Sequence, residues 1–98
     1  MHASVLIVDD DPLICKLLEC YLAQQGYVVR STSNAEQAEA FLAGNTVDLI
    51  VLDVRLPGKD GLTLTRELRV RSEVGIILVE RLGADHTHTH VPWPSTRP

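Results

Sequence analysis

Two short apolar runs that end in carboxylates restrict this chain to very few architectures. Leu49 to Leu52 is unbroken and apolar, is followed by Asp53, and reaches the breaker pair Pro57-Gly58 a few residues later. Ser4-Val-Leu-Ile-Val8 repeats the theme and ends in Asp9, Asp10 and Asp11. Runs this short with no polar alternation read as strands buried on both faces, the pattern of a parallel sheet covered by helices. In such sheets ligands and chemistry gather in the crevice beyond the carboxyl ends of the strands. Both acidic clusters fall at that edge.

The segments between the strands carry helical periodicity. Pro12 suits the first position of a helix, with Asp11 as its N-cap. Leu13, Ile14, Leu17, Leu18, Tyr21 and Leu22 follow at the 3.6-residue period and predict a wide buried face, and Gly26 is the natural stop. Tyr27 to Arg30 is a shorter, mixed strand suited to a sheet edge. Ser33 with Glu36 predicts a capping box, opening a helix with Ala35, Ala38, Phe41 and Leu42 that stops near Gly44. After Asp53 comes a helix from Gly61 to about Arg71 carrying Leu62, Leu64 and Leu68, then the strand Gly75 to Val79. The order β-α-β-α-β-α-β predicts a parallel α/β sheet with helices on both faces.

The 98 residues allow one domain. A hydrophobic content of 45% and a charged content of 22% are ordinary for a soluble globular protein. The net charge of -4, without a basic stripe, argues against direct nucleic-acid binding. No signal peptide and no membrane span are expected, and the location is expected to be cytoplasmic. Cys15 and Cys20 match no metal or redox spacing and are expected to be free thiols.

Asp11 has a sufficient role as a cap, whereas Asp9 and Asp10 do not. If the strands ending at Val8 and Leu52 are neighbours, Asp9, Asp10 and Asp53 converge. Three carboxylates so placed call for a compensating cation. Oxygen-only ligands with room for water suit Mg²⁺, and a carboxylate beside it can attack phosphorus to give an acyl phosphate. The plainer alternative makes Asp9 and Asp10 turn acids and Asp53 a loop cap; the convergence favours the site.

Three pieces, Val5-Leu-Ile-Val-Asp-Asp-Asp, Leu52-Asp-Val-Arg-Leu-Pro-Gly-Lys-Asp-Gly61 and Gly75-Ile-Ile-Leu-Val79, resemble the receiver domain of two-component response regulators. The resemblance covers roughly residues 4 to 79 and looks most like the receivers that precede winged-helix DNA-binding domains. It implies a flavodoxin-like fold and a phosphoacceptor domain rather than an enzyme. It further implies Asp53 as acceptor from a partner histidine kinase, with Mg²⁺ held by Asp9, Asp10, Asp53 and the backbone carbonyl of Arg55.

The chain also departs from that pattern. Receivers place Thr or Ser directly after the fourth strand, where this chain has Glu80, which repels a phosphoryl oxygen when ionised. No counterpart is found for the fifth strand with its lysine or for the last helix, so residues 1–80 read as a receiver-like domain, truncated or altered after about residue 79. Residues 81–98 read as an atypical polar tail. There His86, His88 and His90 alternate with threonines and would share one face if extended, a possible Zn²⁺ site set against a plain solvated tail, and Trp93 suits a packed or disordered position rather than a ligand platform. Without further elements the last strand becomes an open edge and one sheet face keeps only the first helix, which predicts a homodimer or an element-exchanged dimer.

Two other functions compete with the phosphoacceptor. One is a degenerate receiver acting as a protein-interaction or dimerisation module independent of phosphorylation. The other is a Mg²⁺-dependent phosphohydrolase of the haloacid dehalogenase type using Asp9 and Asp11, for which Pro12 and Leu13 fit poorly.

Overall fold

The computed structural model describes residues 2–80. The elements run β1 (Ser4–Val8), α1 (Pro12–Gln24), β2 (Val28–Thr32), α2 (Ala35–Gly44), β3 (Leu49–Asp53), α3 (Gly61–Arg71) and β4 (Gly75–Val79). All three strand pairs are parallel, and the strand order is β2-β1-β3-β4. This is the expected parallel α/β sheet, in the flavodoxin-like strand order. The change of direction lies at β1 and β3, which are neighbours although β2 separates them in sequence. The central pair carries the most apolar strands because both of their faces are covered. β2 sits at an edge, as its mixed composition predicts, and β4 is an edge among the described residues.

The two sheet faces differ. On one, α2 and α3 pack Ala35, Ala38, Leu64 and Leu68 against Leu6, Val8, Ile50 and Leu52. Arg30 of β2 places its guanidinium 5.4 Å from the Phe41 ring centroid on the same side of the chain. On the other face α1 is the one helix among the described residues, with buried Cys15 and half-buried Leu18 and Leu22 against Val5, Ile7 and Val51.

The wide buried face predicted for α1 is therefore corrected. Leu13, Leu17 and Tyr21, spaced four apart, form an exposed stripe, each more than half accessible, and Ile77 on β4 is half exposed. Apolar periodicity reports which residues can be buried; burial also needs a second surface, and the described residues bring none to that stripe. Leu62 of α3 is likewise exposed while Leu64 and Leu68 are buried.

Helix starts follow local chemistry. Asp11 caps α1, its Oδ1 accepting from the Leu13 N–H at 2.9 Å, with Pro12 in the first turn. The cap of α2 is Asn34, one residue later than predicted: its Oδ1 accepts from the Gln37 N–H at 2.8 Å. Gln37 Oε1 in turn accepts from the backbone and hydroxyl of Ser33, each at 2.9 Å. Asn and Ser are both good caps, so the spacing Ser33 to Glu36 was one of two registers, and the Gln37 side chain selects the other. Gly26, with φ 95°, turns the chain from α1 into β2. The residues 81–98, with His86, His88, His90 and Trp93, lie outside the described residues.

Candidate phosphoacceptor and metal site

The site follows from strand register. β1 and β3 pair with Val8 opposite Leu52, so Asp9, one residue past β1, and Asp53, the last residue of β3, come to the same level at the carboxyl edge of the sheet. Each offers a carboxylate oxygen, together with Asp10, and the three oxygens lie within 4.8 Å of one another. Asp9 and Asp53 are buried, at 4% and 1% exposure, whereas Asp10 is exposed. Two buried acids and an exposed one, all hard oxygen donors, match a divalent cation that keeps part of its water shell. Asp11 is not in this group and serves as the helix cap, which removes the pairing needed for the phosphohydrolase alternative.

Both buried carboxylates are held by local turns. Asp9 Oδ1 accepts from the Asp11 N–H at 2.9 Å, and Asp53 Oδ1 from the Arg55 N–H at 3.0 Å. Each is an acid bonding the backbone two residues on, which fixes the side chain at the strand end. The Cys15 thiol reaches back to the Asp9 carbonyl at 3.2 Å, tying α1 to β1. Burial, followed by the nearby charges of Asp9 and Glu19, pushes that thiol above its ordinary pKa. Cys15 is thus a packing residue, and Cys20 faces outward, as their spacing predicts.

The β3–α3 loop is pinned at two points. The Gly61 N–H donates to the Val54 carbonyl at 2.9 Å, and the first turn of α3 lies so close to β3 that no side chain fits at Gly61. Lys59 Nζ bridges Glu39 Oε2 of α2 at 2.8 Å and Glu67 Oε1 of α3 at 2.6 Å. Those hydrogen bonds raise the Lys59 pKa, and the bond from Lys59 lowers that of Glu67. Asp60 caps α3 by accepting from the Thr63 N–H at 2.8 Å, which lowers its pKa. Sequence reasoning missed the bridge and this cap. The cap was detectable as an acid one residue before Gly61, whereas the bridge joins residues far apart in the chain.

Beside the carboxylates a cavity of about 480 Å³ opens between α1 and the ends of β1 and β2, lined by Asp9, Asp10, Lys16, Ser33 and Gln37 among others. A larger cavity of about 660 Å³ lies between α2 and α3 at the opposite, amino edge of the sheet. It has no part in the acidic site. No helix among the described residues is long and apolar enough to cross a membrane.

Comparison with known proteins agrees with this geometry. The family model of the response regulator receiver domain matches residues 5–91. The chain is 66% identical over 84 residues to the transcriptional regulatory protein AruR of Pseudomonas aeruginosa, covering 81% of this chain and 34% of that one. It is 45% identical over 79 residues to the TorCAD operon transcriptional regulatory protein TorR of Escherichia coli, again with 81% of this chain and 34% of the relative covered. The chain thus spans about a third of the length of these curated relatives. Among solved structures, the BeF3-activated N-terminal receiver domain of Klebsiella pneumoniae RstA superposes with a TM-score of 0.77 at 36% identity, over 84% of this chain and 70% of that one. A response regulator receiver protein from Pseudomonas putida gives 0.76 at 31% identity, over 82% and 69%. With strand order, acidic edge and sequence in agreement, this chain belongs to the receiver domains of response regulators, the phosphorelay modules of two-component signalling.

Proposed function

We propose that this chain accepts a phosphoryl group on Asp53, with Mg²⁺ bound by Asp9, Asp10, Asp53 and the backbone carbonyl of Arg55. The observation that carries the reading is the convergence of three carboxylates from two adjacent strand ends, with Asp53 the most buried. The donor set fits the ion: oxygen ligands only, two of them fixed by turns and one facing solvent. When bound, Mg²⁺ would neutralise charge on the carboxylates and on the incoming phosphoryl oxygens.

The chemistry required of the protein is nucleophilic substitution at phosphorus. An Asp53 carboxylate oxygen forms a bond to phosphorus while the bond from phosphorus to the donor breaks. The donor's leaving group departs with the electron pair: an imidazole nitrogen from a histidine kinase, or acetate from acetyl phosphate. The Asp53 turn, made with the Arg55 N–H, orients the nucleophile before the donor arrives, so little conformational freedom is lost in the step. Hydrolysis reverses the state: water attacks phosphorus, the acyl phosphate bond breaks, and the carboxylate is regenerated.

Incubation with Mg²⁺ and acetyl phosphate, followed by intact mass, tests the reading. A single phosphoryl adduct is expected for the full chain and none for Asp53→Ala. An adduct that persists in the variant would overturn the assignment.

A second reading has its own observation. Glu80 follows β4 directly where receivers carry a hydroxyl, and the β4 edge, unpaired among the described residues, and the stripe Leu13, Leu17 and Tyr21 offer surface for a second copy. This supports a dimerisation role independent of phosphorylation. Light scattering over a concentration series, with and without acetyl phosphate, separates the two: a dimer insensitive to phosphoryl donor favours the second reading.

A further inference from the structure

A fourth carboxylate stands next to the acidic cluster without joining it. β3 and β4 pair with Asp53 opposite Val79, and the ladder continues one step, the Val54 N–H donating to the Val79 carbonyl at 3.0 Å. Glu80 therefore leaves the sheet alongside the turn at Val54 and Arg55. Its carboxylate is outside the group of three and instead faces the Arg55 guanidinium at 4.0 Å. The two side chains are 60% and 46% exposed, so the pair contributes little to stability and is easily exchanged for a better one. The root of Arg55 is fixed, by contrast. Its N–H bonds Asp53 Oδ1, and the next residue, Leu56, is buried in the core. Arg55 is thus a long cationic arm with its base two residues from Asp53 and its tip in solvent.

We propose that Arg55 is an exchange arm: it holds Glu80 while Asp53 is unmodified, and transfers to the phosphoryl oxygens once Asp53 carries a phosphoryl group, releasing the end of β4. The inference rests on Asp53 as phosphoacceptor. Its physical basis is competition between two anions for one guanidinium. A phosphoryl group brings a charge of about −1.5 to −2 and three acceptor oxygens, and the planar guanidinium fork bonds such an oxyanion in bidentate fashion. Glu80 offers a single charge through a weak, solvated contact. Repulsion between Glu80 and the phosphoryl oxygens acts in the same direction. Lys59, the other basic residue of the loop, is already engaged by Glu39 and Glu67, so the exchange falls to Arg55. In this chain an ion pair would do the reporting that a hydroxyl does in other receivers, and the reporting element is the end of β4.

The experiment uses the full chain and beryllofluoride, which adds to a carboxylate as a phosphoryl analogue, with Mg²⁺ affinity measured separately in its absence. Arg55→Gln is expected to weaken beryllofluoride binding about tenfold, the loss of one charge-assisted bidentate contact; the substitution keeps the backbone carbonyl of residue 55, so Mg²⁺ affinity serves as the separate readout of loop damage. Glu80→Gln is expected to strengthen beryllofluoride binding several-fold. In the unsubstituted chain the amide resonances of Val79 and Glu80 shift on beryllofluoride binding, and in Arg55→Gln that shift is lost. Equal beryllofluoride affinity in Arg55→Gln and the parent overturns the exchange arm and leaves Asp53 as acceptor. Parallel weakening of both ligands in Arg55→Gln also overturns it, since a damaged loop would do the same. Failure of the parent chain to bind beryllofluoride with Mg²⁺ overturns the phosphoacceptor reading itself.

Discussion

Gly61→Ala is the substitution that most directly couples packing to the acidic site. Gly61 opens α3, and its backbone lies against the end of β3. A Cβ placed there would fall well inside contact distance of the Asp53 carbonyl oxygen, 2.9 Å from Val54 Cα and 3.0 Å from the Asp53 carbonyl carbon. These are backbone atoms at the end of a central strand and in the turn directly after it, so no side chain can rotate away. Carbon atoms rest at about 3.5–4.0 Å, and relieving the overlap requires α3 and β3 to separate by something on the order of 1 Å. Overpacking of this kind costs about 1–3 kcal/mol. At roughly 4–8 °C per kcal/mol for a domain of this size, 2 kcal/mol lowers Tm by about 8–16 °C. The same displacement moves Asp53 relative to Asp9 and Asp10, and at the proposed Mg²⁺ site such a loss of support costs about tenfold or more in affinity. Thermal unfolding followed by circular dichroism and Mg²⁺ titration are the assays. Gly44→Ala is the control, because no atom lies within 4 Å of a Cβ there; it should be neutral or slightly stabilising. If Gly61→Ala melts with the parent chain and binds Mg²⁺ equally, the close approach of α3 to β3 is refuted.

Three further outcomes follow from the same structure. Asn34→Ala removes the acceptor for the Gln37 N–H and should cost about 1 kcal/mol, seen as a lower urea midpoint, whereas Ser33→Ala should cost less if Asn34 is the cap. Leu64→Ala, at a fully buried position between α3 and the sheet, should cost about 2–5 kcal/mol, while Val70→Ala on the exposed side of the same helix should stay within about 0.5 kcal/mol; equal effects would refute the assigned helix face. The Lys59 bridge should show as pH dependence. The folded pKa of Glu67 is depressed, so its contribution is present above the unfolded value of 4.5 and is lost as pH falls through the folded one. The folded pKa of Lys59 is raised, so its contribution is present below 10.5 and is lost as pH rises through the folded one. The difference in urea midpoint between the parent chain and Lys59→Met should therefore be level between those limits, shrink in acid, and shrink in high salt. A difference that is constant from pH 3 to pH 7 would show that the bridge is not ionic.

The sequence made most of the strands and helices legible because each is written locally. Three short apolar runs, a Pro12 after an Asp11, and glycines at helix ends state their elements without reference to partners. β2 is the exception that illustrates the limit. Its first residues were visible, but it continues through Thr32 because the pairing of Ile7 with Ser31 and Val8 with Thr32 extends it along β1. Polar Ser31 carries no strand signal of its own and separates Thr32 from the apolar residues before it.

The acidic site was readable to a similar depth. Asp9, Asp10 and Asp53 announced themselves as acids at apolar strand ends, and only their convergence depended on β1 and β3 being neighbours. Residues whose role arises between distant segments were invisible: Lys59 between Glu39 and Glu67, Arg55 against Glu80, and Gly61 against the backbone of Asp53.

What the sequence by itself determined is the alternation of strand and helix, the parallel class of the sheet, and the chemistry available at its carboxyl edge, because periodicity and capping act within a few residues. The tertiary structure decided which apolar faces are covered. Leu13, Leu17 and Tyr21 have the spacing of a core helix and yet lie exposed, since burial requires an opposing surface and none of the described residues supplies it. It also decided that three carboxylates converge while a fourth, Glu80, stands outside them, 4.0 Å from the Arg55 guanidinium. Charge interactions depend on distance through space, and that distance is set by strand register rather than by position in the chain.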